Sequence, residues 1–69
     1  MNELEKLRVL IPYWIEHNEE HAKEFRKWAH KQWDLSGDIL AAADSIAQAN
    51  EYLEAALEKI GGPLDQHLD

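Results

Sequence analysis

The chain has no cysteine, which excludes disulfides and thiolate metal ligands and leaves the redox compartment unreadable. It has no long apolar run. Val9 to Ile15 is the longest such stretch and falls far short of the roughly 20 residues a membrane span needs. The N-terminal Met1-Asn2-Glu3-Leu4-Glu5 is acidic and helix-like rather than basic and then apolar, so a secretory leader is not expected and the cytoplasm is the expected compartment. No catalytic triad, glycine-rich phosphate loop or paired-carboxylate hydrolase pattern is present, and no enzymatic activity is expected. Bases are scarce in the second half. Residues 1–33 hold six acids and six bases, whereas residues 34–69 hold eight acids and Lys59 as the one base. Such an acidic surface repels phosphate backbones and anionic lipid, which argues against nucleic acid or a membrane as partner.

What is present is helical periodicity on a short chain. At 69 residues there is room for one domain, near the size at which a single apolar core barely offsets chain entropy. Leu4, Leu7, Ile11, Trp14, Asn18, His21, Phe25 and Trp28 recur at spacings of three and four, the stripe of one helix face. Asn2 followed by Glu5 has the form of a capping box. Pro12 lies inside the pattern and lacks the N–H owed to the Arg8 carbonyl, which predicts a kink or a split helix. A break is expected at Asp34-Leu35-Ser36-Gly37-Asp38, with Ser36 or Asp38 capping a second helix that stops at Gly61-Gly62-Pro63. The expected domain is residues 1–62, with helices over about 3–34 and 38–60 and a flexible tail over 63–69.

Within the second helix Ile39, Ile46, Leu53 and Ile60 recur every seven residues, flanked by Ala42, Ala49 and Ala56 on one side and Ala43, Asn50 and Leu57 on the other. So wide an apolar face exceeds what one neighbouring helix covers. The expected fold is all-α: an antiparallel hairpin, completed by a second copy into a homodimeric four-helix bundle. A helix of another protein is the alternative occupant.

One polar cluster interrupts the apolar stripe of the first helix. His17, His21 and Glu24 stand at i, i+4 and i+7, with Glu20 beside them, and the hairpin brings Asn50 and Glu54 to the same level. Imidazole with carboxylate is a ligand set for zinc, iron, manganese, cobalt or nickel. The competing reading is a structural polar layer that fixes register and oligomer state.

The run Ile15-Glu16-His17-Asn18-Glu19-Glu20-His21-Ala22, followed by Phe25-Arg26-Lys27-Trp28-Ala29, resembles a group of short uncharacterised prokaryotic helical proteins, over about residues 4–60. A looser likeness is to encapsulated-ferritin-type proteins, whose two-helix protomers pair into four-helix bundles and bind iron between chains through Glu-x-x-His. This chain offers the reverse order, His17-x-x-Glu20 and His21-x-x-Glu24, so that likeness implies an architecture and not ferroxidase chemistry.

Overall fold

In the computed structural model, which describes residues 1–64, two helices pack side by side. Helix α1 spans Glu3–Ala29, a single 3-10 turn spans Trp33–Leu35, and α2 spans Ser36–Lys59. The body measures 47 × 24 × 14 Å. Its thinnest dimension is little more than one helix diameter, about 10–12 Å, so the molecule is one layer thick. None of its described helices is long and apolar enough to cross a membrane.

The start of α1 matches the expected capping box. Asn2 Oδ1 accepts from the Glu5 amide at 2.8 Å, and Glu5 Oε1 accepts from the Asn2 amide at 3.1 Å. Helix α1 is continuous through Pro12 rather than split there. The carbonyl that Pro12 leaves without a donor belongs to Arg8, and the Leu64 amide donates to it at 3.2 Å. An unmet backbone acceptor inside a helix is costly; here the chain beyond α2 returns to satisfy it. The expected tail is therefore tied back at Leu64, and the rest of it, from 65 onward, lies outside the described residues.

The chain reversal lies earlier than the sequence indicates. Helix α1 ends at Ala29 rather than near residue 34, Gln32 leaves helical geometry at φ −131° and ψ 83°, and Gly37 sits inside the first turn of α2. Ser36 does not cap α2: its hydroxyl donates to the Trp33 carbonyl at 2.9 Å. The far end of α2 follows expectation. Gly61 and Gly62 take φ of 110° and 81°, values glycine adopts without the Cβ penalty, and the Gly62 amide closes on the Leu57 carbonyl at 2.9 Å. Arg8 then grips this terminus, with Nε donating to the Gly62 carbonyl at 2.7 Å and Nη2 to that of Gly61 at 3.2 Å. Arg8→Met keeps the aliphatic stem and removes both bonds. It is expected to cost about 1–2 kcal/mol, read as a melting temperature lower by on the order of 5–10 °C.

The two helices meet along small residues. Ile11, Ala22 and Ala29 of α1 and Ala43, Asn50 and Leu57 of α2 are buried, and among the described residues no large side chain is completely enclosed. The face of α1 that touches α2 is thus Ile11, Ile15, Asn18, Ala22 and Ala29, one step round from the stripe read in the sequence. Trp14 and Trp28, expected between the helices, are 40% and 51% exposed. Alanines at 22, 29 and 43 let the backbones come close, and close approach leaves no space for indole rings between them.

Candidate functional site

The polar cluster read in the sequence divides into two parts on different sides of α1. The inner part is a layer of amides. Asn18 Nδ2 donates to Asn50 Oδ1 at 2.9 Å, and Asn50 Nδ2 donates to the Ile15 carbonyl at 3.0 Å. Asn50 is only 7% exposed and is partnered through both ends of its amide, as a buried polar group must be. This bond also sets the level of one helix against the other. Facing residue numbers total 65 to 70 at the Ile15–Asn50, Asn18–Asn50 and Arg26–Asp44 contacts, a little less than the 71–72 that a reversal at Gly37 would give. Ala49 is therefore level with residues 16–21.

The outer part is a pair of histidines. His17 and His21 are exposed, and their Nε2 atoms lie 3.1 Å apart, one ring donating and the other accepting. Their rings meet edge to face at 86° with centroids 4.6 Å apart. They form the middle of an aromatic ladder at spacing four, with Tyr13 stacked on His17 at 5.9 Å and Phe25 beyond His21 at 6.4 Å. The spacing was visible in the sequence, but the ladder was not singled out there. The Arg8 grip on α2 had no sequence signal at all, because it depends on a contact across more than 50 positions.

The expected carboxylates take different places. Glu20 and Glu24 border the same shallow concavity as His17 and His21, together with Lys23 and Lys27, and Glu20 is drawn toward Lys23 at 3.9 Å. Glu54 borders a separate concavity with Glu19, Lys23, Arg26 and Glu51. Among the described residues, no group of three or more His, Asp or Glu side chains is placed to hold a metal ion. Among the described residues, one chain thus presents two imidazole nitrogens 3.1 Å apart and no third ligand placed to share an ion with them.

Projection along the helices places these parts on a common frame. At about 100° per residue, Leu7, Leu10, Trp14, His17, His21 and Trp28 fall within roughly 80° of one another, turned roughly 90° from the face that α1 presents to α2. Ala42, Ala49 and Ala56 are turned roughly 100° from the inner face of α2 in the same rotational sense. In an antiparallel pair both rotations lead to the same side of the hairpin. Glu19, Lys23 and Arg26 lie with Glu51 and Glu54 on the opposite side, where Arg26 approaches Asp44 at 3.8 Å. One broad side of the slab is therefore uncharged along its centre, with the histidine pair midway along it at the outer edge of α1, where Glu20 and Glu24 adjoin it, and the other carries the ions.

Comparison with known proteins adds the family. An uncharacterized protein of Archaeoglobus fulgidus is 29% identical over 62 residues, a match that covers 84% of this chain and 100% of that relative. The expected likeness to short uncharacterised prokaryotic proteins is borne out. No solved structure matches the chain significantly. A family model described as a domain of unknown function, DUF8180, matches residues 7–60, a span that includes α2, α1 from Leu7 onward, the amide layer and the histidine pair. The chain belongs to the DUF8180 family.

Proposed function

We propose that this is a non-enzymatic, self-associating helical protein of the cytoplasm that pairs with a second copy through its uncharged side and binds a divalent transition metal at His17 and His21. The observation that carries the reading is that side itself. Trp14, Trp28 and Leu10 are 40%, 51% and 41% exposed on a body one layer thick, and large apolar side chains gathered on one exposed face mark an interaction surface. The metal half rests on the 3.1 Å separation of the two Nε2 atoms. Two nitrogens each about 2.0–2.1 Å from one ion stand about 2.9–3.4 Å apart for bond angles between octahedral and tetrahedral.

A second reading, a helical interaction module with a structural polar layer, is favoured in one respect by the Asn18–Asn50 bond. Asn50 is partnered at both ends of its amide inside the hairpin, and register is the role the layer can serve. The test is dilution. Sedimentation of metal-free protein at micromolar concentration is expected to give a dimer, with a melting temperature that falls on dilution, since association is linked to unfolding. A monomer whose melting temperature is constant over a hundredfold dilution overturns self-association and favours the interaction module.

A further inference from the structure

The histidine pair is half of a coordination shell, and the geometry of the hairpin indicates what supplies the other half. His17 and His21 offer two imidazole nitrogens 3.1 Å apart, and no carboxylate of the same chain joins them in a group of three among the described residues. A tetrahedral ion needs two more donors. The pair lies midway along the uncharged side, toward the outer edge of α1. Across the hairpin it is level with Ala49, and Ala42 and Ala56 stand one heptad to either side of that residue. A two-fold axis crossing this side at the level of the histidines would lay α1 against the α1 of a second copy, and α2 against its counterpart at Ala49, where the absence of bulk permits close approach.

Charge selects the occupant. The chain carries a net charge of −7, so a second copy is repelled from most of its surface. The excess acid lies on α2 and the chain beyond it, because residues 1–33 balance six acids with six bases. Pairing along the uncharged side brings the neutral first helices together and keeps Asp44, Glu51 and Glu54 facing outward. Acidic repulsion between copies is least there.

We propose that two copies of the chain meet about a two-fold axis level with His17, His21 and Ala49, and that their two imidazole pairs together hold one late first-row divalent cation of the zinc class. This inference rests on the proposed metal-binding reading and specifies that the site belongs to the dimer and not to one chain. Each imidazole ligates through Nε2 and keeps its proton on Nδ1, so the hydrogen bond now shared by the two rings gives way to two bonds to the ion. An all-imidazole shell suits zinc, nickel or cobalt better than manganese, magnesium or calcium, which favour oxygen donors. Ligation couples metal to assembly, because half the donors come from each copy.

The test titrates zinc into metal-free protein while following stoichiometry by calorimetry and association by sedimentation. The wild type is expected to take up one zinc per two chains, with a dimer dissociation constant at least tenfold lower than without metal and a return to the starting value on chelation. The expected binding weakens on acidification, since protonated imidazole does not ligate. His17→Ala with His21→Ala is expected to keep its helicity by circular dichroism, to associate like the metal-free wild type and to ignore zinc. One zinc per chain with no change in association overturns the shared site and leaves metal binding standing. No zinc uptake at all overturns both. A metal-free monomer that becomes a dimer at one zinc per two chains supports the shared site while refuting association without metal.

Discussion

Asn50→Asp is expected to destabilise the hairpin by on the order of 3–5 kcal/mol, comparable to the whole stability a core of this size supplies. The substitution changes one amide nitrogen into oxygen, yet it removes the donor that Asn50 gives the Ile15 carbonyl at 3.0 Å. It also sets a carboxylate against that carbonyl at a position only 7% exposed. Asn18 can still donate to the new side chain, but one hydrogen bond does not offset a buried charge. Acid is expected to restore part of the loss. The folded state disfavours the ionised carboxylate and so binds more protons than the unfolded state, which makes stability fall as pH rises and recover as it drops. A protonated carboxyl can moreover donate to the Ile15 carbonyl. Thermal melts by circular dichroism across pH check both points. Paired replacement, Asn18→Leu with Asn50→Leu, is expected to be neutral or stabilising, because no partner is left stranded, with looser choice of register as the cost. An Asn50→Asp protein that melts within a few degrees of the wild type at neutral pH would show that the amide layer is not enclosed as described.

Ala49→Glu is expected to raise the dissociation constant of the assembly at least a hundredfold, about 2.7 kcal/mol. Ala49 is exposed in the single chain, so the hairpin itself has room for the larger side chain and its helicity should persist. In the proposed dimer the residue lies close to the two-fold axis. Symmetry then doubles the change, bringing two carboxylates together where the helices approach most closely. Lys23→Glu is the matched control. It introduces a carboxylate at the outer edge of α1, turned roughly 110° from the face packed on α2 in the sense away from the uncharged side, where Lys23 approaches Glu20 at 3.9 Å and largely in solvent, and should leave the sedimentation of metal-free protein unchanged. If both variants remain dimeric, the uncharged side is not the contact surface.

Local chemistry was legible in the sequence, and relations between helices were legible only in part. The Asn2–Glu5 capping box and the Gly61-Gly62 stop are decided within a few residues, and the structure has both. The reversal was misplaced because Gly37 is a stronger written signal than Gln32. Nothing lies within 4 Å of a Cβ built on Gly37, so no close approach requires glycine there, and the first turn of α2 simply tolerates it. The inward face of α1 was misjudged for a different reason. Two apolar stripes adjoin on this helix, and hydrophobic periodicity ranks them by size, which favours Trp14 and Trp28. The helices instead pack where the side chains are small, at Ala22 and Ala29. That choice separated His17 and His21 from Asn18, so residues that read as one cluster face different directions. Glu54 is apart from the histidines as well, bordering the concavity of Glu19 and Glu51 rather than theirs. Pro12 read as a kink or a split because its remedy, the Leu64 amide, is 52 positions away from it.

That remedy has a mechanical consequence. Arg8 and Leu64 join the two strands of the hairpin at its open end, where the Leu64 amide meets the Arg8 carbonyl and the Arg8 side chain holds Gly61 and Gly62. A load that draws the first residues away from the chain beyond Leu64 reaches these bonds before it reaches the amide layer or the alanine seam. The bonds lie along the direction of pull and are loaded one after another, as the teeth of a zip are, rather than all at once in shear. Resistance to such a load is set by one arginine and one backbone amide, and the rest of the interface parts turn by turn once they yield.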